Sequence, residues 1–132
     1  MINLNPISEA EFQTYLKATI KSYADHNVES GRWPKEESLR LAKDELDSLL
    51  PDGLDTPNND IYVIESRDQN TSVGYLWVNI SKELDEKSMF ICDIEVHEKF
   101  RRKGYAEAAI HSIEKNAKAL GGYQNSGKYI WT

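Results

Sequence analysis

Cysteine is almost absent from this chain. Cys92 is the only one in 132 residues, which excludes an intramolecular disulfide and any cysteine-based metal cluster. Its setting between Ile91 and Asp93 in an apolar run reads as a small buried hydrophobe. Long apolar runs are also missing. No stretch approaches the roughly 20 apolar residues of a membrane-spanning helix, and the opening residues show no basic region followed by an apolar one. Positive charge is in deficit: 16 Lys and Arg against 22 Asp and Glu leave a net charge of -6, so a general attraction for nucleic acid or anionic lipid is excluded and any anion site must be local. A soluble, cytoplasmic protein with no nucleic-acid or membrane partner is the expectation. Internal repeats, low-complexity tracts, a G-x-x-x-x-G-K-[ST] loop and a G-x-G-x-x-G fingerprint are absent too, which removes the commonest nucleotide-binding patterns.

What is present fits one domain over residues 1–132. Residues 2–7 form a short opening strand. Ser8 and Glu11 have the spacing of a capping box, and Phe12, Leu16, Ile20 and Tyr23 recur at helical spacing, predicting a helix over residues 9–25. Pro34 suits the first turn of a second helix, whose stripe is Leu39, Ala42, Leu46, Leu49 and Leu50 and which stops at Pro51, Asp52 and Gly53. The period then becomes extended. Residues 61–64 and 73–80 read as a hairpin, residues 82–87 as a solvated loop, and residues 89–96 as a strand with Phe90, Cys92, Ile94 and Val96 on one face and Asp93 and Glu95 on the other. Ala106, Ala109, Ile110, Ile113, Ala117 and Leu120 line a last helix ended by Gly121 and Gly122. Helices, antiparallel strands, then strand, loop and helix give an α+β class.

One segment departs from the charge balance. Between residues 97 and 103 four fixed positive charges, Lys99, Arg101, Arg102 and Lys103, stand against Glu98 alone. The segment joins a strand to a helix N-terminus, where backbone N–H groups lack partners and the helix dipole is positive, so it suits phosphate. Gly104 permits an unusual backbone or a close approach, and Ala106 leaves room beside the first helical turn. A solvated basic surface with an ordinary turn glycine fits the spacing as well. If a ligand binds, it bears a diphosphate of unspecified kind.

The run from Asp93 to Ala106, Asp-Ile-Glu-Val-His-Glu-Lys-Phe-Arg-Arg-Lys-Gly-Tyr-Ala, resembles the signature of the Gcn5-related N-acetyltransferases (GNAT), in which a strand ending in Val precedes R/Q-x-x-G-x-G/A and a long helix. Arg101, Gly104 and Ala106 fill the motif positions, and Arg102 stands where Gly is common. The resemblance covers about residues 2–121 and is strongest over 89–121. It implies a GNAT-like acyltransferase fold and transfer of acetyl from acetyl-CoA to a primary amine, with no metal. It also implies that backbone groups from Arg102 through Lys103, Gly104 and Tyr105 to Ala106 hold the pyrophosphate, beside Arg101. Main-chain groups of Ile94 and Val96 align the pantetheine. A neutral amine must attack, so a carboxylate base is implied, with Glu95 ahead of Asp93. His26, His97 and His111 lack metal-ligand spacing. The acceptor pocket is expected around residues 26–34, where Trp33 and nearby acidic residues favour a cationic amine. Trp77 and Tyr75 are pocket walls or core.

After Gly121 the pattern departs from the family. Residues 122–132 offer a strand stub at 129–132 but no further helix, so the domain reads as C-terminally truncated. An uncovered fourth strand invites a second chain, making a homodimer the expected partner arrangement, with Tyr123 or Tyr129 as substitute acids. The alternative to an active enzyme is a catalytically incapable CoA-binding or protein-interaction module.

Overall fold

The computed structural model describes residues 1–83, 86–119 and 123–129, and side chains over 1–80 and 88–116. The side chains of Tyr123, Tyr129, Ala117 and Leu120 lie outside the described residues. The chain divides into two compact units, one of Met1–Ile7 with Pro57–Thr132 and one of Ser8–Thr56.

The first unit is a five-stranded sheet with one helix. Its strands are β1 (Ile2–Pro6), β2 (Asn59–Ser66), β3 (Thr71–Glu83), β4 (Glu86–Val96) and β5 (Tyr123–Tyr129), in that spatial order. β1 to β4 pair antiparallel, and β5 joins β4 parallel. Helix α3 (Tyr105–Ala119) follows β4. The core of this unit joins Ile64, Leu76, Val78, Met89 and Ile91 of the sheet to Tyr105, Ala109 and Ile113 of α3. Burying each such aliphatic side chain contributes about 1.5–3 kcal/mol. On the opposite sheet face Trp77 is buried, and its indole N–H donates to Asn59 Oδ1 over 2.9 Å, which removes the cost of an unpaired donor.

The second unit is helical. Helix α1 (Glu9–Glu29) starts at the expected capping box, with Glu11 N–H donating to Ser8 Oγ and Ser8 N–H to Glu11 Oε1. The Ser8 backbone N–H, then its hydroxyl, holds the Glu11 carboxyl below the usual carboxylate range. A short 3-10 turn at Lys35–Glu37 intervenes before α2 (Ser38–Leu49), so Pro34 precedes that turn and not the helix proper. Of the expected stripe, Ala42, Leu46 and Leu50 are buried, whereas Leu39 and Leu49 are exposed. Gly53 has φ 58, a left-handed conformation that favours glycine. Among the described residues no helix is long and apolar enough to cross a membrane.

Three expectations change. The solvated loop at 82–87 is instead the end of a hairpin, since β3 runs to Glu83 and β4 starts at Glu86. The tail becomes a strand earlier than expected: β5 occupies Tyr123–Tyr129 and pairs with β4 over residues 87–91, while residues 130–132 of the expected stub lie outside the described residues. The uncovered strand that motivated a second chain is therefore covered along that half. The face assignment of β4 holds from Asp93 to Val96 and fails before it. Trp77 pairs with Asp93 and Val78 with Ile91, so Cys92 is an extra residue, a β-bulge that shifts the alternation by one. Met89 and Ile91 consequently share the α3 face with Ile94 and Val96, while Phe90 falls on the other.

Candidate active site

Past the bulge, β4 has a partner only on the β3 side among the described residues, because β5 pairs no further than Ile91. His97 N–H donates to the Val73 carbonyl at 2.8 Å, so its backbone polar groups face β3. Alternation then turns those of Asp93 and Glu95 toward β3 as well, and those of Ile94 and Val96 toward the open edge. The edge is held close to β3 by Gly74. A Cβ there would stand 2.0 Å from the Glu95 carbonyl oxygen, so only glycine fits.

The loop beyond β4 turns sharply. A 3-10 turn at Glu98–Phe100 leads into Arg102 at φ 64 and Gly104 at φ 82. Arg102 thus adopts the left-handed conformation natural to glycine, at a cost of roughly 1–2 kcal/mol for an L side chain. Gly104 has open space around the position of a missing Cβ, so its requirement is conformational and not one of crowding. The Gly104 carbonyl accepts the Ala108 N–H at 3.0 Å. The N–H groups of Tyr105, Ala106 and Glu107 therefore precede the first intrahelical bond, at the positive end of α3.

Open edge and loop together wall a cleft of about 560 Å³, lined by Ile94, Val96, Phe100, Arg101, Arg102, Gly104, Tyr105, Ala106 and Glu107. Its size is that of a small-molecule site. Seven of the eight residues expected to bind coenzyme meet there; Lys103, on the same loop, does not line it. The Tyr105 side chain points into the core, where its hydroxyl and Ser66 Oγ share a hydrogen bond of 3.1 Å and its ring meets Phe100 edge-on. Only the backbone of Tyr105 is left for a ligand. Phe100 and Glu107 were not anticipated as walls. The first is legible as an aromatic before the motif, the second only from α3's first turn.

The carboxylates separate. Glu95 is half-buried, directly across from Tyr75, and its carboxylate has no hydrogen-bond or ion-pair partner among the described residues. Asp93, expected on a solvent-facing strand, is 4% exposed and opposite Trp77. His97 packs edge-on to Tyr75, with ring centroids 5.5 Å apart, and is half-buried rather than loop surface. Burial, reinforced by the Asp93 charge, pushes the Cys92 thiol up to about 12.

In the helical unit, the expected acceptor segment is tied down by its own side chains. Arg32 donates to Glu45 Oε1 (2.9 Å), the Tyr23 hydroxyl (3.1 Å) and Asn27 Oδ1 (3.0 Å), and lies 4.9 Å over the Trp33 ring. Tyr23 donates to Glu45 and meets Trp33 edge-on. Burial first, then the Glu45 hydrogen bond, raises the Tyr23 hydroxyl above its ordinary range. The Trp33 face thus already carries a cation, and Glu45 is already neutralised.

A mixed sheet whose fourth strand opens toward a basic turn at a helix N-terminus is the frame of an acyl-CoA acyltransferase. The chain belongs to the GNAT acetyltransferase family: the description "Acetyltransferase (GNAT) family" matches residues 20–126. It is 34% identical over 120 residues to YycN of Bacillus subtilis, described as an uncharacterized N-acetyltransferase, covering 91% of this chain and 76% of YycN. A second Bacillus subtilis relative described in the same words, YdgE, is 28% identical over 118 residues, 89% of this chain and 74% of YdgE. The crystal structure of YycN superposes with a TM-score of 0.85 at 32% identity, over 95% of this chain and 80% of that one. The chain is accordingly an N-acetyltransferase of the GNAT type.

Proposed function

We propose that the chain transfers acetyl from acetyl-CoA to a primary amine by direct attack. The observation that carries this reading is the cleft itself, where the edge of β4 that has no partner among the described residues meets the N–H groups that open α3. Those N–H groups, with Arg102 and Gly104 in left-handed conformations, suit a pyrophosphate, which gains from both the helix dipole and the neighbouring guanidinium groups. Ile94 offers its backbone groups along the edge and Val96 its N–H, the Val96 carbonyl being taken by Arg101 Nε, and an extended arm with amide bonds would pair there as a further strand does. Asp93 is too buried to meet an amine directly, so the base is Glu95.

A Lys-like amine has an unperturbed pKa of about 10.4 and is protonated near neutrality, so Glu95, directly or through one water, takes its proton. The amine nitrogen then forms a bond to the acetyl carbon as the carbon–sulfur bond breaks, and the proton that the acylated nitrogen sheds passes through solvent to the departing thiolate. Tyr75 and His97 flank Glu95 and shape that side of the strand. The test is CoA release from acetyl-CoA across polyamines, aminoglycosides and lysine peptides. With an accepted amine, Glu95→Gln lowers kcat by on the order of a hundredfold while KM for acetyl-CoA stays within about twofold of wild type. Full activity in this variant removes Glu95 from the role, and no CoA release with any amine sinks the reading.

A further inference from the structure

Arg32, in the helical unit, sits in a receptor that its own side chain does not build. Its guanidinium donates through Nη1 to the Tyr23 hydroxyl and Asn27 Oδ1 and through Nη2 to Glu45 Oε1, with its central carbon 4.9 Å from the Trp33 ring centroid. The groups around it are aimed by contacts in which Arg32 takes no part. The Asn27 amide nitrogen donates to the Tyr23 carbonyl at 2.8 Å, which turns Oδ1 toward the guanidinium. The Tyr23 hydroxyl donates to Glu45 Oε2, which leaves Oε1 for the cation. Trp33 stands edge-on to Tyr23, with ring centroids 5.4 Å apart.

The turn is also closed without the Arg32 side chain. The N–H groups of Arg32 and Trp33 both donate to the Asn27 carbonyl, at 2.9 and 3.2 Å, and Gly31 N–H donates to the Val28 carbonyl at 3.1 Å. The guanidinium is therefore a ligand of the cluster and not its scaffold. Side-chain exposure is 52% for Arg32 and 37% for Glu45, so their ion pair is solvent-screened and holds weakly. Asn27, by contrast, is 3% exposed, and its Oδ1 needs a donor whenever Arg32 withdraws. A carboxylate, a phenol oxygen, an amide oxygen and an indole face around one planar cation are the groups that recognise a guanidinium.

We propose that Tyr23, Asn27, Trp33 and Glu45 form a binding site for the guanidinium group of a small ligand, filled by Arg32 in the free chain and vacated by it when that ligand binds. Arg32 is then a built-in competitor, and removing it raises affinity, whereas a purely structural tie gives no gain. As a subsite for the acceptor the cluster rests on the acetyl-transfer reading; as a guanidinium site it does not.

The probe is agmatine, which carries a guanidinium and a primary amine at opposite ends of a short chain, with butylamine as the control that lacks the guanidinium. Calorimetry measures both on wild type, R32A and R32A/E45Q, and thermal melting confirms folding; R32Q carries the same comparison should R32A not fold. Agmatine is expected to bind R32A on the order of tenfold more tightly than wild type, since the site no longer has to open. Butylamine shows no such gain, and E45Q removes it. Agmatine binding R32A no more tightly than wild type overturns the proposal, as does a gain shared by butylamine or one that survives E45Q. If agmatine accepts acetyl, its KM falls by a similar factor in R32A with kcat within about twofold of wild type; an unchanged KM removes the cluster from the acceptor site. A chain that binds agmatine as expected yet releases no CoA with any amine keeps the guanidinium site and loses the acetyl-transfer reading.

Discussion

The two halves of β4 carry similar apolar residues and end in different states. Over residues 87–91 the strand is paired on both sides, and Met89 and Ile91 are buried in the α3 core. Over residues 93–96 it is paired, among the described residues, with β3 alone, and Ile94 and Val96 are only partly buried. The bulge at Cys92 separates the halves while keeping both apolar pairs on one face. A strand becomes a binding edge, then, when one neighbour stops, without any loss of hydrophobic character. The binding capacity lies in backbone groups left unpaired, for which the side chains are only a frame.

The comparison breaks most severely at Gly74. Replacing it with Ala puts a Cβ 2.0 Å from the Glu95 carbonyl oxygen, and β3 must part from β4 where β4 has no other partner among the described residues. The expected cost is about 3 kcal/mol, the upper end of overpacking penalties, read as a lowered urea midpoint. A loss below about 1 kcal/mol would mean that the open half does not depend on this approach.

The bulge supplies a pH test. With the Cys92 thiol pushed up to about 12 by burial, against an ordinary 9.0, the folded chain resists losing that proton. The contribution to stability is complete below pH 9 and is lost as pH rises from there toward 12. Cys92→Ala should flatten that part of the stability profile. In the same view the native thiol should resist alkylation at pH 8, since the thiolate is the reactive form; rapid labelling of the folded chain would contradict the burial.

The smallest expected effect lies in the helical unit, which sharpens the contrast by leaving β4 alone. Ser8→Ala removes one half of the capping box and costs about 1 kcal/mol in urea denaturation, with acetyl-CoA affinity unchanged. Because Glu11 is held below the usual carboxylate range by Ser8, wild type's advantage is present above that range and is lost as pH falls through the lowered value. A drop in coenzyme affinity would mean that the two regions are coupled.

Much of this was legible in residue order. The capping box, the helical stripe at Phe12 and Tyr23, the hairpin and the helix after the basic loop all follow from local periodicity, and the loop's motif pointed to the residues that now line one cleft. The misreadings share a cause. A bulge has no local signature: the run from Met89 to Val96 alternates plausibly in either phase, and only its register with Val78 and Trp77 shows which is right. Leu39 fits an apolar stripe yet is exposed, because periodicity marks a face without saying whether anything covers all of it. Tyr105 was placed correctly in the motif, but its ring belongs to the core, since Ser66, remote in sequence, supplies the partner for its hydroxyl.

The sequence by itself determined which residues would stand at the strand-to-helix turn and that the turn would be basic, because charge, glycine and helix onset are local properties. Only the tertiary structure decided that the described part of β5 pairs with β4 as far as Ile91, that Asp93 is buried while Glu95 is half-buried, and that the Arg101 side chain is committed to the Val96 carbonyl. Each of these depends on which backbone groups find partners far along the chain, and hydrogen bonds between distant segments leave no trace in the order of neighbouring residues.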